Sequence, residues 1–179
     1  MIVLKNEREI KLMLEACRIS AEALKNAASN DGGATVGFMG MNMAGNMAGN
    51  IFGQEKNVTN AAIAKMNLLL HGASDFNIMQ GDTLRDPKIL QGGSIARFDC
   101  VIANPPFSLK KWGETEWRSD KFSRNIWGTP TDDTGADYAW IQHMIHHLAP
   151  KGKIGLVLAN GALSATGVEK EIRRNRKEV

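Results

Sequence analysis

The apolar run Phe98-Asp99-Cys100-Val101-Ile102-Ala103, which stops abruptly at Asn104-Pro105-Pro106-Phe107, constrains this chain most. Nearly continuous apolar side chains describe a strand covered on both faces, the situation of a central strand in a parallel sheet. Two successive prolines lack the N–H groups that a ladder needs, so the strand ends there and a stiff loop begins. The surrounding segments fit the same sheet. Ile51-Phe52-Gly53-Gln54 reads as a short strand, and Asn57 to Leu70 as a helix with Ile63, Met66 and Leu70 inward and Gly72 at its end. Phe76 to Met79 gives a second strand. A helix over Ala136 to Leu148 leads through Ala149-Pro150-Lys151-Gly152 into a strand over Ile154 to Ala159, and a charged helix begins near Gly167. Strands alternating with helices predict an α/β fold with a parallel sheet, whose ligands sit beyond the carboxyl ends of the strands.

Composition sets the class. With 43% hydrophobic and 23% charged residues among 179, the chain reads as one globular domain. No run of about 18 apolar residues suggests a membrane span, and Met1-Ile2-Val3-Leu4-Lys5-Asn6-Glu7 lacks the marks of a signal peptide, so a cytoplasmic protein is expected. Cys17 and Cys100 each sit in an apolar stretch and are expected as buried thiols. The formal charge of +3 gives little of the electrostatic footprint that unaided nucleic-acid binding would need. Three segments are expected: an amphipathic helix within residues 1–29, with Ile10, Met13, Leu14, Cys17, Ala21 and Leu24 on one face; a Gly/Met-rich linker over 30–50; and a main domain over 51–179.

Three constellations fall at the strand ends. Glu55 closes the first strand, where a carboxylate can accept from both hydroxyls of a ribose; an acid capping the next helix is the competing reading. Asp82, in Gly81-Asp82-Thr83-Leu84, could accept from an adenine amine, although turns place Gly-Asp there for structural reasons too. Asn104-Pro105-Pro106-Phe107 is more specific. Methyl transfer to an adenine amino group needs the nitrogen lone pair turned to the donor while acceptors hold both amine hydrogens. An Asn side-chain carbonyl and a Pro main-chain carbonyl supply two such acceptors, and the prolines stiffen the loop so that both point the same way. No general base is needed beforehand. Phe107 offers an aromatic face for a base swung out of the duplex, the competing reading being a packed ring at a rigid strand stop.

Gly53-Gln54-Glu55-Lys56-Asn57, Ala64 to Leu68, Gly81 to Leu84, Phe98 to Phe107 and Ala136-Asp137-Tyr138-Ala139-Trp140 closely resemble the methyltransferase subunit of type I restriction-modification systems. The resemblance continues through His146-His147-Leu148, Lys153 to Asn160 and Glu169 to Arg173. It implies a Rossmann-like methyltransferase fold and transfer of a methyl group from S-adenosyl-L-methionine to adenine N6 in DNA. Glu55 would hold the cofactor ribose, Asp82 with Thr83 and Leu84 its adenine, and Asn104, Pro105, Pro106 and Phe107 the target base. Specificity and restriction subunits would be the partners. The alternative is a truncated or chimeric, non-catalytic remnant that binds partner subunits.

The family carries an acidic-Pro-x-Cys-Gly-x-Gly-Gly loop on the strand before Glu55, and this chain has none, so an incomplete sheet lacking that first strand is expected. Thr35 to Met39 could fill the gap, but Gly40 to Asn50 is barely long enough for a parallel crossover. The first 25 residues instead resemble the opening helix of type I methionine aminopeptidases, without that family's metal-ligand set, and the Gly-Met stretch faintly resembles tails of band-7-type scaffold proteins. Between Ser108 and Thr134, Trp112, Trp117 and Trp127 lie among five basic and five acidic side chains, which leaves DNA contact and a loop packed by its own aromatics as equal readings. His143, His146 and His147 share helical spacing, but without the glutamate of the zinc-protease pattern a packed or solvated helix face is the expectation.

Overall fold

The computed structural model describes residues 38–41, 51–70, 73 and 75–175. The amphipathic helix expected within 1–29, Cys17 and Gly72 lie outside this set. Five strands form the main sheet: β1 (Phe38–Met41), β2 (Ile51–Glu55), β3 (Phe76–Gln80), β6 (Phe98–Ala103) and β7 (Leu148–Leu156), in the order β3-β2-β1-β6-β7. A small hairpin of β4 (Leu90–Gln91) and β5 (Ser94–Ile95), which the sequence reading did not anticipate, precedes β6. The helices are α1 (Val58–Leu70), α2 (Glu114–Arg118), α3 (Asp137–His146) and α4 (Val168–Asn175), with a 3-10 turn over Asn160–Ser164.

β2 and β3 pair in parallel, as do β6 and β7. β1 joins these two pairs and runs antiparallel to both β2 and β6. The gap expected at the sheet centre is therefore filled by four residues of the stretch read as linker, but in the reverse direction. Chain length gives the reason: Met41 pairs with Ile51, and a short connection closes an antiparallel pair where a parallel crossover needs a dozen or more residues. Gly40 faces the ring of Phe98, and a Cβ there would lie 2.4 Å from Phe98 Cδ2, so only glycine lets β1 lie over that ring.

Neighbouring strand residues point to opposite faces, and Ile51 and Phe52 accordingly join different clusters. On one face Ala61, Ala64 and Leu68 of α1 cover Ile51 and Ile78. On the other, Phe98, Val101 and Ala103 pack with Met144 of α3, Ile89 and Ala96. The inward face of α1 thus differs from the expected Ile63, Met66 and Leu70, and Met66 and Leu70 are exposed. Both sets share the same spacing, and the alanine side wins because small residues let the helix axis approach the sheet. Asn57 caps the helix, its Oδ1 accepting from the Thr59 and Asn60 amides at 2.8 and 3.2 Å.

The start of β6 is pinned by the end of α3. Phe98 is fully buried, its amide donates to the His147 carbonyl at 2.7 Å, and the two rings stack at 5.7 Å. The His147 Nδ1–H donates to the Ala96 carbonyl at 2.7 Å. Burial, reinforced by the charge of Arg124, lowers the His147 imidazole to about 3, although the Ala96 bond opposes this. Cys100 of β6 is a buried thiol, as expected.

The depressed His147 value fixes a pH dependence. Only the neutral ring fits the folded state, whereas the unfolded ring takes a proton near pH 6.5. The contribution of this group is fully present above about pH 6.5 and is lost as the pH falls toward about 3. Urea denaturation at pH 7 and pH 5 is expected to show stability falling by up to about 1.4 kcal/mol per unit below pH 6.5, with a shallower fall in His147→Gln. Equal slopes in the two proteins would exclude His147 as the source.

Candidate functional site

The parallel strand pairs place three loops at one edge of the sheet, those after Glu55, Gln80 and Ala103. Their side chains meet in a cavity of about 480 Å³ lined by Glu55, Asp82, Thr83, Leu84 and Pro106, among others. Trp112, Trp140 and Leu109 supply its apolar walls, and Lys56, Asn57 and Asn60 its polar rim. Among the eight residues singled out from sequence, these five line the cavity directly. Asn104, Pro105 and Phe107 belong to the same loop as Pro106 but do not line it.

Glu55 is 4% exposed, and its Oε1 accepts from the Asn57 amide at 2.7 Å. It therefore steadies the turn into α1 from within the cavity lining. Asp82 is also engaged. Its Oδ1 accepts from the Leu84 and Arg85 amides at 3.2 and 3.1 Å, which is the structural turn role, and its Oδ2 accepts from Lys56 Nζ at 2.9 Å. Lys56 is 74% exposed, and a pair of this kind contributes only about 0–1 kcal/mol.

The segment from Asp82 to Lys88 is fastened from several sides. Gln54, buried at the end of β2, donates through Nε2 to the Asp86 carbonyl at 2.7 Å and accepts from the Lys88 amide at 2.9 Å. Arg85 donates to the carbonyls of Trp112 and Lys111 at 3.2 and 2.8 Å. Arg124, far away in sequence, reaches the Thr83 and Leu84 carbonyls.

The loop after β6 is held at both ends. Pro105 is fully buried, whereas Phe107 is 50% exposed, so the reading of a ring packed at a strand stop does not describe Phe107. Ser108 follows with φ near 50°, a left-handed conformation that non-glycine residues adopt at a cost. Its amide donates to Asp137 Oδ1 at 2.8 Å, and the Ala136 amide donates to the Leu109 carbonyl at 3.1 Å. Gly135, with φ of 93°, lies against this turn: a Cβ there would come within 2.8 Å of Ser108 Cα. Asp137 was not anticipated as part of the site. Its sequence signals are its place in the Ala136 to Trp140 stretch and at the start of a helix, where an acid has an ordinary reason to be.

The tryptophans between Ser108 and Thr134 settle into the structure. Trp112 and Trp117 pack with Leu84, Ala136, Ala139 and Trp140, and Trp127 with Tyr138 and Ile172. Glu114 pairs with Arg118, and Asp120 with Arg124 at 2.7 Å. A loop packed by its own aromatics is what this segment is, and two of its charges meet inside it. The histidines follow the packed-face reading: His143 and His147 are buried, and His143 Nδ1 lies 3.0 Å from Arg124 Nη1.

Gly135→Ala is expected to lower stability by about 1–3 kcal/mol, because the added methyl meets Ser108 backbone in a conformation that disfavours side chains. Thermal or urea unfolding reads this directly; a variant as stable as the parent would show that the contact relaxes freely.

Known proteins resemble this chain over about two thirds of its length. The family described as N-6 DNA Methylase matches residues 25–177. The chain is 40% identical over 127 residues to the type I restriction enzyme MjaIX methylase subunit of Methanocaldococcus jannaschii, covering 69% of this chain and 22% of that protein. It is 40% identical over 126 residues to the HindI methylase subunit of Haemophilus influenzae, covering 69% of this chain and 27% of that one. The solved methyltransferase subunit of a type I restriction-modification system from Streptococcus thermophilus superposes with a TM-score of 0.62 at 30% identity, over 71% of this chain and 27% of that one. The chain spans about a quarter of the length of the curated relatives it matches.

Proposed function

We propose that this chain, which belongs to the N-6 DNA methylase family, supplies the cofactor pocket and target-base loop of a methyltransferase that moves a methyl group from S-adenosyl-L-methionine to adenine N6 in DNA. The observation that carries this reading is the shared cavity: loops far apart in sequence bring Glu55, Asp82 to Leu84 and Pro106 to one place. Its volume of about 480 Å³ falls in the ordinary range for small-molecule pockets. The donor set fits as well. The Glu55 carboxylate accepts from ribose hydroxyls, Asp82 Oδ2 accepts from the adenine amine in place of Lys56, and Leu84, Trp112 and Trp140 give a flat ring apolar walls.

When bound, S-adenosylmethionine offers a methyl group on a sulfonium, a leaving group that needs no further activation. The Asn104 carboxamide oxygen and the Pro105 carbonyl accept the two amine hydrogens of the target and so turn its lone pair toward that methyl. Pro105, fully buried, holds the geometry, and the exposed ring of Phe107 is free to stack on an extruded base. The catalytic piece is assigned to residues 51–179, to which Phe38–Met41 adds a central strand. Specificity and restriction subunits would complete the assembly and contribute most of the hold on DNA, in keeping with a formal charge of only +3. Among the described residues no helix is long and apolar enough to cross a membrane, and a cytoplasmic location suits a DNA-modifying subunit.

Calorimetric titration with S-adenosylmethionine is the test of the pocket. Binding by the parent chain and at least about tenfold weaker binding by Glu55→Ala are expected, while no binding by the parent would favour a motif-bearing remnant that only docks with partners. In a methyl-transfer assay on adenine-containing DNA, Asn104→Ala is expected to lower the rate by about a hundredfold; an unchanged rate would remove the role given to that loop.

A further inference from the structure

We propose that Arg124 is a positioning residue for the cavity: it grips Thr83 and Leu84 by their main-chain carbonyls and so sets where the adenine end of S-adenosylmethionine rests, a role that depends on the cofactor reading above. The guanidinium is 1% exposed, and all five of its N–H groups have an acceptor. Nε bonds Asp120, with Oδ2 at 3.1 Å. Nη2 donates to the Leu84 carbonyl and to Asp120 Oδ1, each at 2.7 Å. Nη1 donates to the Thr83 carbonyl at 3.2 Å and meets His143 Nδ1 at 3.0 Å. The plane lies over the Trp117 ring at 4.5 Å.

This arrangement is directional as well as attractive. His143 can accept at Nδ1 only as the neutral ring, and burial, with its charged neighbours, keeps that ring neutral well below the usual histidine range. Burial alone would push the Asp120 carboxyl up, but its bonds from the Arg124 side chain and amide hold it down as a carboxylate. One fork thus joins α3, the tryptophan segment and the cofactor-side loop, and two of its prongs end on residues that line the cavity. A lysine offers three donors from a point charge and cannot reach both carbonyls, Asp120 and His143 together.

The whole chain titrated with S-adenosylmethionine, beside amide hydrogen exchange, tests the role. Arg124→Lys is expected to bind at least tenfold more weakly and to exchange faster over residues 82–86, with 138–145 unchanged. Parent-like affinity in this variant, with Glu55→Ala still losing affinity, would overturn the positioning role and leave the cofactor reading standing. Faster exchange throughout 138–145 would overturn it as well, since Arg124 would then only be holding the core. A parent chain that binds no S-adenosylmethionine overturns the cofactor reading and this role with it. Should Arg124→Lys fail to fold by circular dichroism, Asp120→Glu keeps the arginine, its counter-charge and both carbonyls but shifts the fork; at least threefold weaker binding is expected, and unchanged affinity in the folded variant would refute the proposal.

Discussion

A guanidinium sealed from water must have its charge and every N–H answered, and satisfying Arg124 dictates much of what surrounds the cavity. Asp120 balances the charge from one turn away in sequence, His143 must be neutral, and the Thr83 and Leu84 carbonyls must turn inward. Once those carbonyls point at Arg124, the chain from Asp82 onward has little freedom, and Gln54 and Arg85 take up the rest. Removing one partner of such a buried pair typically costs about 3–5 kcal/mol, so the segment that faces the cavity is tied to the stability of the fold.

Elements with strong local signals were legible in the sequence. β6 over Phe98–Ala103 ends where the prolines remove its donors, and α1 starts one residue after the expected position because Asn57 serves as its cap. The strand ends that carry Glu55, Asp82 and Pro106 follow from alternation alone, since parallel strands bring their carboxyl ends to one edge. Their convergence in one cavity therefore needed no long-range information beyond the sheet order.

What escaped the sequence was decided by tertiary contact. The inward face of α1 was ambiguous because Ile63, Met66 and Leu70 have the same spacing as Ala61, Ala64 and Leu68, and hydrophobicity favours the wrong set. Closeness of approach chose the alanines. From the sequence β1 is only one way to fill the gap, over Thr35 to Met39, because Gly40, needed for room beside Phe98, would ordinarily weaken a strand. Its antiparallel run was hidden in the short distance from Met41 to Ile51, which permits a return of the chain but no crossover. Arg124 and Asp120 looked like surface charge in a balanced loop, and only folding shows that the pair is internal.

The same balance bears on how such a piece would meet DNA. Charges that pair inside the molecule cannot neutralise phosphates, and the segment from Ser108 to Thr134 uses Arg124 on buried Asp120 and holds its Arg118–Glu114 pair at the surface. Its tryptophans are buried, so they are not available as stacking platforms, and Phe107 is the aromatic ring near the cavity that stands half in solvent. In the proposed reading, chemistry at a single base and grip on the duplex would thus fall to different surfaces. Pro105, Asp137 and Gly135 fix the loop after β6, which gives the proposed target-base site a rigid frame. The division of labour among subunits proposed above would follow from where the charges are spent.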